Sequence, residues 1–267
     1  MYFDYHLHSN FSHDSKTPME DIVKAALKLP LKEICITDHV DYNVIFHGKD
    51  TNYDFSTVQY FSTISYLQKI YANQITIKKG VEIGLQPHIL RQCSQYVENY
   101  DFDFVIASIH SINKYELIHK HLFRENTQKE AYEIYYKTLY HILNNFKNYS
   151  VVGHLDLIKR YDPFPSILKD NEFLDILDEI LKIIILDGKG IEINTSSFRY
   201  GLPNLTPSTF ILKRYKQLGG TIITTGSDAH TTKHIADNFP YIYHILKQLG
   251  FQYVCTFQHM QPVFHKL

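Results

Sequence analysis

Cysteine is scarce in this 267-residue chain: Cys35, Cys93 and Cys255 are widely spaced and odd in number. They form neither a CxxC pair nor a disulfide framework, which fits a reducing compartment. An excess of either charge is also missing, since 27 Lys and Arg face 28 Asp and Glu for a net charge of −1. A nucleic-acid coat or a polybasic membrane binder draws its affinity from massed positive charge, so neither partner is expected. No apolar run approaches the roughly 20 residues that span a bilayer. The N-terminus shows no basic and apolar signal segment, and the expectation is a cytoplasmic protein. Low-complexity stretches, repeats and Gly/Ser linkers are absent too. Residues 1–267 are therefore read as a single domain, long enough to bury a full core.

What the chain does have is histidine. Its 16 histidines outnumber Met, Cys and Pro combined. A hydrophobic fraction of 44% beside 21% charged residues is that of an ordinary globular protein.

Short apolar or β-branched runs read as strands at Tyr2–His8, Glu33–Asp38, Gln74–Glu82, Phe104–His110, Ser150–His154, Gly190–Asn194 and Thr221–Gly226. Between them lie stretches with helical spacing. The first opens at Thr17-Pro18, read as N-cap and first helical residue, with Ile22, Val23, Ala26 and Leu27 on one face. Others fall at 57–72, 87–99, 127–146, 168–187, 206–218 and 238–249. Gly188, Gly219 and Gly250 stand where C-terminal caps belong. Seven strands alternating with seven helices predict an α/β protein with a parallel sheet. A closed (β/α) barrel suits the length better than an open doubly wound sheet.

The unusual residues fall at strand ends. His6 and His8 end the first strand, Asp38 and His39 the second, Glu82 the third and His110 the fourth. His154 ends the fifth, Glu192 and Asn194 the sixth, and Asp228 and His230 follow the seventh. In parallel α/β barrels the C-terminal ends of the strands build the active site. Each feature alone is weak. An HxH pair shares one strand face by simple alternation, and Asp38 could merely cap the next element. Glu82, in an apolar strand, needs a partner, and a cation is one. Arg160 could form a surface ion pair with Asp162. Taken jointly, the placement points to a metal site. His119, His121, His141, His244, His259 and His265 lie away from the strand ends and serve as the contrast. His13, His47, His88 and His234 lie in rim loops, as do Asp41, Tyr42 and Glu116.

The segments Asp4-Tyr5-His6-Leu7-His8-Ser9, Thr37-Asp38-His39, Gly80-Val81-Glu82-Ile83-Gly84, Ser108-Ile109-His110, Gly153-His154 and Gly226-Ser227-Asp228-Ala229-His230 together resemble the polymerase and histidinol phosphatase (PHP) superfamily. The stretches 153–161 and 192–199 are similar to its bacterial histidinol phosphate phosphatase branch. The resemblance implies a distorted seven-stranded TIM-like (β/α) barrel with a trinuclear site for divalent Zn, Mn or Fe. It implies one ion on His6, His8, Glu82 and Asp228, and a second on Glu82, His110 and His154. A third would sit on Asp14, His39 and His230. It further implies that Arg160 and Arg199 bind phosphate and that Tyr115 lies near the substrate. An alkoxide leaving group needs a proton, which Asp228 or a rim histidine could supply through water.

Three divalent ions on three carboxylates would leave a net charge of about +3, which attracts a phosphate dianion. Guanidinium groups would grip its oxygens in a fork. The expected activity is hydrolysis of L-histidinol phosphate, a small-molecule ester, in histidine biosynthesis. Two other readings stay open: a nucleotide phosphoesterase with the same metal core, and a non-catalytic metal- or phosphate-binding protein.

Overall fold

The computed structural model describes all residues, 1–267. The first half runs β1 (Tyr2–Leu7), α1 (Met19–Ala26), β2 (Leu31–Ile36), β3 (His39–Phe46), β4 (Lys49–Tyr53), α2 (Thr57–Ile70), β5 (Thr76–Gly84), α3 (Leu90–Glu98) and β6 (Phe104–Ser108). A small hairpin follows, β7 (Ser111–Ile112) and β8 (Tyr115–Glu116), then α4 (His121–Glu125) and α5 (Gln128–Asn145). The second half continues β9 (Val151–Val152), α6 (Leu174–Leu186), β10 (Gly190–Asn194), α7 (Thr209–Gln217), β11 (Ile223–Gly226) and α8 (Phe239–Gln248). The chain ends in a hairpin of β12 (Tyr253–Gln258) and β13 (Gln261–Lys266). No helix is long and apolar enough to cross a membrane.

Seven of these strands form the expected parallel sheet in the order β1-β2-β5-β6-β9-β10-β11. It closes into a nearly complete barrel. Leu7 bridges Ala229 in parallel, the His8 amide donates to the Ala229 carbonyl at 3.0 Å, and the Thr225 hydroxyl donates to the Phe3 carbonyl at 2.7 Å. The central strands β6 and β10 are buried at every residue. That burial is what a parallel strand shows when helices cover one face and the barrel interior the other.

Helix punctuation follows the sequence at the C-termini, where Gly188, Gly219 and Gly250 adopt φ of +66°, +95° and +81°. The first N-terminus differs. Pro18 itself holds the cap position of α1, and the Thr17 hydroxyl instead donates to the His230 carbonyl at 2.9 Å. Thr17 is thus recruited across the barrel seam, a tertiary contact that overrides the local cap signal.

Three hairpins interrupt the simple alternation. β3 pairs with β5 directly beyond β2, bringing His39 opposite Glu82. β4 folds back on β3, and the Ile45 amide bonds the Lys114 carbonyl, so this hairpin and β7–β8 join at the rim. The β12–β13 hairpin covers the opposite end, where the Phe257 amide donates to the Tyr5 hydroxyl at 2.9 Å. His259 and His265 are carried there, far from the strand ends.

Candidate metal centre

Glu82 is the hub of the strand-end residues. It is fully buried at the end of β5. Its carboxylate oxygens lie 3.0 Å from His6 Nε2, 3.5 Å from His8 Nε2, 3.0 Å from His39 Nδ1, 3.1 Å from His110 Nε2 and 2.8 Å from His154 Nε2. Asp228 stands 3.8 Å from His6 Nε2 and 3.5 Å from His8 Nε2. Asp14 lies 3.0 Å from His230 Nε2 and 3.6 Å from His39 Nε2. The nine residues implied as ligands thus come together, carried on loops and strand ends from seven parts of the chain.

The donor atoms fit cations. His6 Nε2, His8 Nε2, His39 Nδ1, Glu82 Oε2 and His230 Nε2 are buried and make no hydrogen bond. Orphaned buried polar atoms are rare because each costs free energy comparable to a lost hydrogen bond. Here they converge, and a mixed N/O donor set without thiolate suits zinc or a similar divalent ion. Three sets of donors lie within 4.8 Å of one another around this centre: His6, His8 and Asp228; His6, Glu82 and His154; and His8, His39 and His230. A fourth, His39, Asp41 and His110, includes a carboxylate absent from the expected ligand set.

Electrostatics among the side chains of the cluster is that of acids and bases pressed together. Burial alone would raise the Glu82 carboxyl, yet His6, His110 and His39 hold it well below the usual range. Burial opposes ionisation of Asp228 as well, but His6, His8 and Arg160 keep it well below its ordinary value. His110 loses stability as a cation through burial, but Asp41 and Glu82 lift it to about 10.

A second layer orients the first. Glu192 accepts from His6 Nδ1 at 2.5 Å and from the His154 amide at 2.9 Å. Asp41 accepts from His110 Nδ1 at 2.8 Å. Asp38 accepts from the amides and hydroxyls of Ser9 and Ser12, fixing the loop that leads to Asp14. His154 and Asp228 adopt φ of +23° and +53°, backbone that non-glycine residues rarely occupy and that clusters at functional sites. Glycines make room for these carboxylates. A Cβ on Gly84 would lie 1.8 Å from Asp41 Oδ1, and one on Gly226 would lie 2.2 Å from Glu192 Oε1.

Above the cluster opens a cavity of about 390 Å³, lined among others by Asp14, His39, Glu82, Glu116, Arg160 and Asp228. That size suits a small-molecule site. His13 lies on its wall, stacked on Tyr53 at 3.8 Å. Arg160 does not pair with Asp162. Its Nη2 reaches Asp228 Oδ2 at 3.3 Å and bonds the Ser196 hydroxyl, and its guanidinium lies 4.2 Å above the Tyr200 ring. Asp162 instead accepts from Tyr132 and Gln128. Arg199 is not among the residues that line this cavity, and its Nη2 donates to the carbonyls of Ser227 and Asp228 at 2.9 and 2.8 Å. Tyr115 faces an adjoining cavity that shares Glu116 with the first, and it stacks on His121 at 4.1 Å.

The profile of the PHP domain matches residues 4–196. The histidinol-phosphatase of Lactococcus lactis is 34% identical over 260 residues, covering 97% of this chain and 95% of that protein. The chain belongs to the histidinol-phosphatase family of PHP-domain proteins. A probable histidinol-phosphatase of Clostridium acetobutylicum is 36% identical over 242 residues, 90% of each chain. Among solved structures, the histidinol phosphate phosphatase of L. lactis, complexed with zinc, L-histidinol and phosphate, superimposes with a TM-score of 0.89. It shares 33% identity and covers 98% of both chains. A putative histidinol phosphatase from Listeria monocytogenes shares the fold, at a TM-score of 0.76 and 17% identity.

The sequence reading missed Asp41 as a partner of His110 and did not give Glu192 a role. Glu192 had a signal, since it ends a barrel strand. Asp41 had none beyond its rim position, because its contact depends on β3 pairing with β5.

Proposed function

We propose that the protein is a metal-dependent phosphomonoesterase that hydrolyses L-histidinol phosphate to L-histidinol and phosphate. One observation carries the reading: Arg160 lies on the wall of the cavity whose floor is the cluster of unpaired imidazole and carboxylate atoms. A cation site and a phosphate-gripping group therefore share one small space. Zinc, L-histidinol and phosphate are what the L. lactis relative is complexed with.

We assign three divalent ions, zinc foremost, to His6, His8, Glu82 and Asp228; to Glu82, His110 and His154; and to Asp14, His39 and His230. When bound, such ions polarise the phosphoryl oxygens and bring the ionisation of water toward neutral pH. The remaining chemistry belongs to the chain. The buried Nε of Arg160 and Nη1 of Arg199 have no partner, and these free donors are our phosphate contacts. Arg199 also braces the carbonyls on which Asp228 is carried. Asp228, held ionised by its cationic neighbours, accepts the proton of the attacking water and returns it to the leaving alkoxide. Tyr115, on the hairpin between the two cavities, contacts the histidinol moiety. The catalytic unit is the whole chain, 1–267, because Asp228 and His230 lie beyond the segment that the domain profile matches.

Assay of the zinc-loaded protein on L-histidinol phosphate, a dinucleotide and an aryl phosphate tests the reading. Turnover should be fastest on L-histidinol phosphate and vanish with chelator. Preference for the dinucleotide would move the substrate to nucleotides, and binding without turnover would remove catalysis altogether.

A further inference from the structure

The motif Asp156-Leu157-Ile158-Lys159-Arg160 contains two charged residues that the metal and phosphate chemistry leaves unused. Lys159 is 8% exposed and Asp156 fully buried. The Lys159 ammonium donates to Asp156 Oδ2 at 2.7 Å and to Asp170 Oδ1 at 2.5 Å. Ser208 completes a ring: its hydroxyl donates to Asp170 Oδ2 at 2.6 Å and its amide to Asp156 Oδ2 at 3.1 Å. The ring joins three separated segments. Lys159 lies in the 3-10 turn Leu157–Tyr161, Asp170 in the turn that leads into α6, and Ser208 caps α7.

None of the four lines the main cavity, but Arg160, the next residue, does. The turn that carries it is intrinsically weak. It is a single 3-10 segment, closed by bonds from Leu157 to His154 and from Lys159 to Asp156, and it follows the strained backbone of His154. On the far side Asp162 is held by the Tyr132 hydroxyl at 2.7 Å and by Gln128 at 2.8 Å. Arg160 is thus bracketed by two fixed neighbours while its own Nη2 contacts are confined to Ser196 and Asp228.

Stability does not account for a buried ion ring, since well-packed apolar residues of similar volume often serve as well or better. Fixing one arrangement out of several is the best-attested use of such groups. The geometric need is present, because a displacement of about 1 Å at a substrate-gripping group can cost roughly a hundredfold in rate.

We infer that Lys159 and Asp170 are positioning residues for Arg160, locking its turn so that the guanidinium meets the phosphoryl group in one orientation. The inference rests on Arg160 as a phosphate contact. The test is a mutant cycle on the zinc-loaded protein, using L-histidinol phosphate as substrate and inorganic phosphate as product inhibitor. Asp170→Asn and the milder Ser208→Ala leave the buried Lys159–Asp156 pair intact, whereas Lys159→Met would leave two buried carboxylates without their cation.

Each should raise KM and the phosphate inhibition constant, Asp170→Asn by roughly tenfold, with zinc content unchanged. In an Arg160→Ala background the same substitutions should have no further effect. A folded Asp170→Asn protein within twofold of native in both constants would overturn the inference. So would a loss of equal size with and without Arg160, the mark of a merely structural role. If Arg160→Ala itself were native-like, the phosphate reading would fail first, whereas an impaired Arg160→Ala beside a native-like Asp170→Asn would remove only the positioning claim.

Discussion

Glu192 accepts a hydrogen bond from His6 Nδ1 at 2.5 Å, across 186 positions of sequence. With Nδ1 engaged by Glu192, His6 presents Nε2 to Glu82 and Asp228, 3.0 and 3.8 Å away. The other Glu192 oxygen holds the amide of His154 in its left-handed conformation. One carboxylate therefore sets the aim of two implied ligands.

Removing that charge while keeping the shape should weaken metal binding more than folding. Glu192→Gln is expected to lower zinc affinity by about 10- to 100-fold, measured by competition with a chromophoric chelator. Native affinity would show that His6 and His154 are oriented by packing alone.

Zinc loading should release protons. In the metal-free protein, burial opposes protonation of His39, His110 and His230, but neighbouring carboxylates raise all three above the ordinary histidine value. His39 and His110, raised furthest, stay protonated at neutral pH, and ligation requires the neutral form. Affinity should therefore fall as the pH is lowered. Calorimetric titrations in buffers of different ionisation enthalpy will count the protons, and a count of zero would contradict the picture.

Arg160→Ala should raise KM for L-histidinol phosphate and the inhibition constant of phosphate by about 10- to 100-fold, the worth of a charge-assisted hydrogen bond. Arg199→Ala removes the second proposed phosphate donor and also frees the Ser227 and Asp228 carbonyls, so it should lower kcat as well. Steady-state kinetics separates the two patterns. Equal effects confined to KM would assign both arginines the same simple role.

Gly84→Ala should cost about 1–3 kcal/mol, because the added methyl meets the Asp41 carboxylate 1.8 Å away. The melting temperature should fall by several degrees, and His110 should lose its anchor. A melting curve that overlays the native one would mean that β3 shifts freely.

The barrel was legible in the sequence because its strands are short buried runs separated by long periodic helices. Most residues of the candidate metal centre were legible because they stand at or just after the end of such a run, whereas Asp14, on the loop after β1, came only from the family resemblance. The β3–β4 hairpin was not: Lys49-Asp50-Thr51-Asn52-Tyr53 has no apolar alternation, and its pairing comes from tertiary context. The C-terminal hairpin was hidden for the same reason, with Gln261–Lys266 largely exposed along its length. Asp41 and the Thr17 contact to His230 depend on elements meeting in space, which local spacing does not encode. The alternative of an Arg160 ion pair with Asp162 does not form, since Asp162 is near in sequence but turned toward Tyr132 while Arg160 turns toward Asp228.

Elemental analysis of the zinc-reconstituted protein after exhaustive dialysis asks most directly whether Glu82 and its imidazoles are a cation cradle. About three equivalents of zinc per chain should remain, with most of them lost in a folded Glu82→Gln variant. Less than one equivalent on the native chain, or full retention without the Glu82 carboxylate, would contradict the account.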